Sequence, residues 1–327
     1  MTTLGICSTA PKSRSKATIR VIFDRDEALS RCRHVGYSPK AEVKSVIGIC
    51  CNGALRVDGV ARRVIQAPKP KPRIMRYELT DYEWHTIKPF LPNKPRGVPR
   101  VNDRRVLNGI FWVLRSGAPW RDLPSNFGPY TTCYNRFVRW RRAGVWTRIM
   151  NALAATHDAA VQMIDTLIIR VHQHAACIAR NKRQFMGRSG GGLTSKIHAV
   201  VDTNGLPIRL ALTMGEAHDN RLAGKLLSRM KSGTMLLADR GYDADRIRAL
   251  AAERGVWANI PPTCNRNEPI CFSPYLYRAR NLVERFFNKI KQCRRVATRY
   301  DKLAANYLAF IQLASIRLWL RVNESTA

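Results

Sequence analysis

The sequence predicts an α/β protein: a mixed sheet with flanking helices, preceded by a small all-α domain of helix-turn-helix character. Three observations carry this. Residues 75–155 keep a helical spacing of apolar side chains, broken only at Gly- and Pro-rich stretches. From residue 161 the pattern changes to short β-branched runs alternating with helical ones, in the order β-β-β-α-β-α-β-α, which suits a mixed sheet covered on both faces. The chain has 327 residues, 45% of them apolar, which is enough for a substantial core.

Residues 1–74 mix Ser, Lys, Arg and Cys without a sustained period and end in the Pro-rich run APKPKPR at 67–73, an extended linker. They read as a poorly structured basic extension, upstream of a natural start at Met75; the alternative is a basic DNA-binding arm. Within 75–155, Thr80 or Asp81 caps a short helix that carries Trp84 and Ile87 and ends at Pro89. Arg104–Arg115 places Val106, Ile110, Phe111, Val113 and Leu114 at helical spacing. After the breaker segment SGAPWRDLPSNFGPY comes a second helix, with Tyr134, Phe137 and Trp140 three apart and Arg136, Arg139, Arg141 and Arg142 on its other faces. Helix, turn, basic helix is a DNA-reading pattern, although an ordinary basic surface helix has the same composition.

Residues 156–327 form the second domain. VQMIDTLIIRV at 161–171 is a strand, and residues 196–213 form a hairpin around Asp202-Thr203-Asn204-Gly205. Residues 219–230 are helical with Asp219 as cap, 233–239 a buried strand, 243–255 a helix closed by Gly255, and 256–261 a short strand. Residues 278–322 are mostly helical. SGGGLTSK at 189–196 lacks the Gly-Lys-Ser/Thr order of a phosphate-binding loop and reads as a flexible loop before a strand.

Charge points to a partner. The formal net charge is +33, and the isoelectric point is near 10.7. Such an excess calls for a polyanion or an anionic surface. The most apolar stretch, Leu303 to Val322, contains Asn306, Gln312, Ser315 and Arg317 and is one-sided, so it suits a buried helix rather than a bilayer span. The N-terminus lacks the basic-then-apolar pattern of an export signal, so a cytoplasmic location is expected. Nine cysteines are scattered without a C-x-x-C pair, as expected of reduced thiols rather than a zinc site or a disulfide framework.

Three carboxylates stand out. Asp165 lies inside an apolar strand, where a charge is costly unless paired or bound to metal. Asp239 ends the strand MLLAD, at the carboxyl edge where ligands gather in α/β sheets. Glu284 sits alone among seven Lys and Arg in YRARNLVERFFNKIKQCRR, residues 277–295. At about 100° per residue, Tyr277, Arg280 and Lys291 fall within about 40° of Glu284 on one helical stripe, with Val283, Phe287 and Ile290 beside it. Glu284 is then either the partner of Arg280 in an i,i+4 surface pair or a metal ligand beside a phosphate-binding surface. Asp202 is accounted for by turn chemistry. His172 and His174 alternate on one strand face and suit loop packing or DNA contact better than a metal.

Tyr277-x2-Arg280-x3-Glu284-x6-Lys291 matches the Y-R-E-K signature of bacterial insertion-sequence DDE transposases, and IDTLIIRVHQHAA, LADRGYD and RRVATRYDKLAANYLAF resemble the insertion-sequence-five family. The resemblance covers residues 75–322. It implies an RNase H-like catalytic domain with Asp165, Asp239 and Glu284 as catalytic, metal-holding triad. It also implies two Mg²⁺ ions per site (Mn²⁺ able to substitute), and recognition of terminal inverted repeats in double-stranded DNA by the helical domain, through Arg136, Arg139 and Arg142. Tyr277, Arg280 and Lys291 would hold phosphates near the scissile bond, and a homodimer would hold two DNA ends and the target DNA. Relatives usually carry Ser-Thr after the first Asp, where this chain has Thr166-Leu167, and Pro where Met214 stands. A relative that binds repeats without cutting, or a nuclease that cuts without joining, remains the alternative.

Overall fold

A computed structural model of the chain describes residues 54–57, 60–63, 77–92, 102–155, 160–176, 181–267 and 269–326. The chain divides into two units, Met1–Lys71 and Pro72–Ala327. In the first, strands β1 (Ala54–Val57) and β2 (Val60–Arg63) pair antiparallel with Val57 opposite Val60. The sequence between them is Asp58-Gly59, a strong hairpin signal inside a segment expected to be poorly structured. The linker at 67–73 and Met75 lie outside the described residues.

In the second unit, Thr80 begins helix α1 (Asp81–Ile87) with a capping box: its hydroxyl accepts from the Glu83 N–H at 3.1 Å, while Glu83 accepts from the Thr80 N–H at 2.9 Å. Helix α2 (Asp103–Ser116) is capped by Asn102 and stopped by Gly117 at φ 72°. Two 3-10 turns intervene before α3 (Tyr130–Arg142), and α4 (Val145–Ala154) follows after Gly144 at φ 68°. The link from α2 to α3 is longer than the three or four residues of a helix-turn-helix, because Pro119, Pro124 and Pro129 each start a new turn.

The sheet contains β3 (Val161–Arg170), β4 (Gly187–Ser189), β5 (Gly192–Val201), β6 (Pro207–Met214), β7 (Met235–Leu237) and β8 (Trp257–Asn259). The main strand order is β6-β5-β3-β7-β8, with β4 pairing the start of β5. β5 is antiparallel to both β3 and β6, while β3, β7 and β8 run parallel. Three meandering strands followed by two parallel crossovers is the RNase H-like arrangement. The expected flexible loop at 189–196 is mostly strand, reversing at Gly190 and Gly191. The expected helix at 219–230 is a 3-10 turn, Asp219–Arg221, followed by the short α5 (Ala223–Leu227). Its cap is His218 rather than Asp219, whose carboxylate is held instead by Lys196 at 2.7 Å. Helices α6 (Asp245–Glu253), α7 (Pro274–Tyr277), α8 (Asn281–Lys291), α9 (Arg294–Ala297) and α10 (Ala304–Thr326) complete the chain.

Helix α10 joins the all-α segment to the sheet. It packs on α1, α3, α4 and β6, and the Phe310 ring stacks on Phe137 of α3 at 4.6 Å. Arg317 reaches α1 to pair with buried Glu83 at 2.8 Å. Arg295, held by both oxygens of Asp301 at 3.1 Å, also donates to the Ala118 carbonyl at 3.1 Å. Residues 77–155 and the sheet therefore share one core. Among the described residues no helix is long and apolar enough to cross a membrane.

Candidate active site

Backbone register brings the carboxylates together. β3 and β7 are parallel with Met163 opposite Leu237, so a continued ladder sets Asp165 level with Asp239. Asp165 is buried at 8% exposure, opposite Ala199 on β5. Its Oδ1 accepts the Thr166 N–H at 2.8 Å. This bond uses the backbone, so the departure of Thr166-Leu167 from the family's usual Ser-Thr leaves it intact. Asp239 leaves β7 and caps the 3-10 turn Arg240–Tyr242, accepting the Gly241 N–H at 3.0 Å. A Cβ on Gly241 would meet that same Oδ1 at 3.1 Å, so glycine lets the turn close tightly. Glu284 stands in the first turn of α8, whose Val283, Phe286, Phe287 and Ile290 are buried. Burial of that apolar side against β3 and β5 leaves Glu284 at the core's edge, half-exposed.

Arg280 gathers all three. Its Nη1 donates to Glu284 Oε1 at 2.7 Å, its Nη2 donates to Asp165 Oδ2 at 3.0 Å, and the same Nη2 lies 4.0 Å from Asp239 Oδ2. The surface-pair reading of Glu284 and the site reading thus describe the same guanidinium. Burial pushes the Asp165 carboxyl up to about 6, against the pull of Arg280 and the Thr166 hydrogen bond, and the charges of Asp239 and Glu284 push the same way as burial. Burial works against the charge on Arg280, but Asp165, Tyr277, Glu284 and Asp239 outweigh it and raise its pKa. The Arg280 guanidinium also lies 5.8 Å from the Tyr277 ring, itself edge-on to Phe272 at 5.5 Å.

The donor set fits a hard divalent cation: three carboxylates, one deeply buried, already converge on one positive charge. As they stand, no three Asp, Glu, His or Cys side chains among the described residues are close enough to hold an ion, and the Arg280 guanidinium contacts all three of these carboxylates.

The other expected site residues are spread more widely. Lys291 is exposed near the end of α8. On α3, Arg139 and Arg142 are exposed, whereas Arg136 is half-buried, pairs with Asp103 and lies over the Trp140 ring at 5.3 Å. His172 packs against His174 and Tyr300, both at 4.8 Å between ring centroids. Asp202 accepts the N–H groups of Asn204 at 3.0 Å and Leu206 at 2.8 Å, as turn chemistry requires. Sequence reasoning missed Tyr242, fully buried behind the site, whose hydroxyl has no hydrogen-bond partner among the described residues. Burial, followed by the charges of Asp165, Asp219 and Asp239, raises its pKa. It also missed Asn259, buried at the end of β8, which exchanges two hydrogen bonds with Ser273 at 2.8 and 3.1 Å and so fixes the start of α7. A buried Asn at the end of a short strand was the available signal.

Two family models match the chain. The model for transposases of the IS4/5 family matches residues 79–150, and that for the transposase DDE domain matches residues 156–319, half of the chain. The chain belongs to the insertion-sequence DDE transposases. A protein named for insertion sequence element IS6501 of Brucella ovis is 39% identical over 130 residues, covering 39% of this chain and 100% of that protein. Protein y4sN of Sinorhizobium fredii is 40% identical over 117 residues, 35% of this chain and 94% of that one. Among solved structures, the Mos1 transposase paired-end complex with left transposon end aligns over 71% of this chain and 82% of that one, at 10% identity and a TM-score of 0.22. The transposase family and the RNase H-like strand order rest on the family models and on the sheet itself.

Proposed function

We propose that this transposase binds the terminal inverted repeats of an insertion sequence, hydrolyses the phosphodiester at each end, and joins the freed 3′-OH to target DNA. In the first step water attacks phosphorus, the bond to the 3′ oxygen breaks, and a 3′-OH and a 5′-phosphate result. In the second, that 3′ oxygen attacks a target phosphodiester, one P–O bond forms as another breaks, and no external energy source is needed. The observation that carries this reading is the convergence of Asp165, Asp239 and Glu284 on one cation site.

Asp165, Asp239 and Glu284 would hold two Mg²⁺ ions, or Mn²⁺ in their place. When bound, such ions lower the pKa of water and stabilise charge on the attacking and leaving oxygens. The chain's own groups do the rest. Asp165 is fixed by the Thr166 N–H and by its burial, and Asp239 by the Gly241 N–H. Arg280, once released, has a guanidinium free to hold a phosphate by two parallel bonds. Lys291 lies on the Glu284 side of α8 and adds a second cation for the backbone, with Tyr277 supporting Arg280 through its ring. Exposed Arg139 and Arg142 on α3 would face the terminal repeat. Two DNA ends must be held for joining, which a homodimer would supply.

A binding-only reading is favoured by one observation: Arg280 already neutralises the carboxylates. A strand-transfer assay separates the readings. With Mg²⁺, a labelled terminal-repeat duplex and target DNA, the expected result is joined product, lost in Asp165→Asn, Asp239→Asn and Glu284→Gln. Binding without cleavage would support the binding-only reading. Cleavage without joining would indicate a nuclease.

A further inference from the structure

We infer that the cavity between α2, α8 and α10 is a binding site for an anionic amphiphile, an oxyanion head on a single apolar tail. The cavity measures about 350 Å³. An apolar cavity of about 150 Å³ takes benzene, so this one holds a tail of roughly twice that size, within the usual range for ligand sites.

Its floor is apolar, from Phe111 and Leu114 of α2, Ile290 of α8, Ala314 and Leu318 of α10, and Leu206. Its polar lining is one-sided in charge: Arg115, Lys289, Arg317 and Arg321 line it, and no carboxylate among the described residues does. Glu83 touches Arg317 from behind, with Arg317 Nε 2.8 Å from Glu83 Oε1, and Arg317 Nη2 donates to the Glu78 carbonyl at 2.7 Å. The third nitrogen, Nη1, is buried and has no hydrogen-bond partner among the described residues. Nη1 is covered, and the guanidinium lies over the Phe111 ring of the floor, 5.2 Å from its centroid, so its positive charge borders the cavity. Glu324 also acts on Arg317, but it competes there with Arg321. The half-buried Cys293 thiol lies in the field of Arg115, Arg321 and Arg317.

The cavity lies on a different side of α8 from the catalytic stripe. At about 100° per residue, Lys289 and Cys293 lie roughly 140° and 180° around the helix from Glu284. Half-open, partly apolar walls rimmed by cations match an amphiphile by charge complementarity, whereas the bare phosphates of a duplex would leave the floor unused.

The test is calorimetric titration of the full chain, without DNA or metal, with decanoate, decyl phosphate, decanol and inorganic phosphate. The expected result is one site for decanoate or decyl phosphate, with decanol and inorganic phosphate each weaker by about tenfold or more. The two anionic probes distinguish a fatty-acid carboxylate from a phosphate headgroup. Arg321→Glu, on an exposed residue, weakens the anionic probe by about tenfold or more and leaves decanol unchanged. Ala314→Phe fills the floor and abolishes binding of both tails, with circular dichroism checking that it folds. Equal affinity for decanol and decanoate, an unchanged Arg321→Glu, or no binding at all would overturn the inference. So would displacement of decanoate by a short DNA duplex, which would assign the cations to nucleic acid.

Discussion

Replacing Arg280 by Ala removes the one cation that three carboxylates share, and the cost depends on pH. Arg280 and Asp165 are 15% and 11% exposed at the side chain, so their attraction is only lightly screened. At about 4 Å and an effective dielectric constant of about 20 it amounts to roughly 4 kcal/mol. The loss has a ceiling, because Asp165 can take a proton. With its carboxyl pushed up to about 6, the ionised form is favoured at pH 8 by two units, about 2.7 kcal/mol. Once the guanidinium is gone the carboxyl protonates, and the folded state loses about 2.7 kcal/mol rather than 4. The same reasoning gives about 1.4 kcal/mol at pH 7 and almost nothing at pH 5, where the wild-type group already carries its proton. The half-exposed Glu284 adds little. Urea unfolding of the metal-free wild type and Arg280→Ala at pH 5, 7 and 8 measures this directly. A destabilisation that is equal at pH 5 and 8, or absent at pH 8, would refute the reasoning.

Other consequences are equally open to measurement. Asp165→Asn, Asp239→Asn and Glu284→Gln should each lower DNA cleavage by more than about a hundredfold, the upper range for losing a mere supporting contact at a metal site, while circular dichroism stays native. His198 is fully buried, bonded through Nε2 to Thr213 Oγ1 at 2.7 Å, with Nδ1 unpartnered among the described residues. Burial lowers it from 6.5 to about 4, so it stabilises the fold above pH 6.5, and about 3 kcal/mol is lost as pH falls from there through 4. His198→Gln should flatten that part of the stability-versus-pH curve. Arg139→Glu with Arg142→Glu should weaken terminal-repeat binding and reduce the salt slope by about two, whereas Arg136→Ala should reduce thermal stability instead, since Asp103 already holds that side chain. Glu83→Ala leaves the buried Arg317 without its partner and should cost about 3–5 kcal/mol in urea unfolding.

The sequence revealed most where local pattern and local structure agree. Thr80, Asn204-Gly205 and the 161–171 strand were legible because capping, turn chemistry and β-branched runs act within a few residues. The triad was legible as three candidates, since a carboxylate in an apolar strand or alone among cations is conspicuous, and the Y-R-E-K spacing joined Glu284 to Arg280. Their meeting was implied by the resemblance alone and by no local pattern: it depends on the parallel pairing of β3 with β7, 70 residues apart or more, and on α8 packing across the sheet. The same holds for Arg136, whose partner Asp103 belongs to another helix, and for Lys196, which takes Asp219 out of its expected capping role. Helix 219–230 was overread because its apolar spacing continues past the 3-10 turn at Asp219–Arg221, where hydrogen bonding to His218 sets the geometry.

The central claim is that Asp165, Asp239 and Glu284 together hold divalent cations where the Arg280 guanidinium now lies. Replacing the metal with Fe²⁺ and adding peroxide cuts the backbone beside wherever the ion binds. The account predicts fragments ending near residues 165, 239 and 284, suppressed by excess Mg²⁺ and enhanced in Arg280→Ala. Fragments centred on His172 and His174, or cutting unchanged by Asp165→Asn, would contradict it.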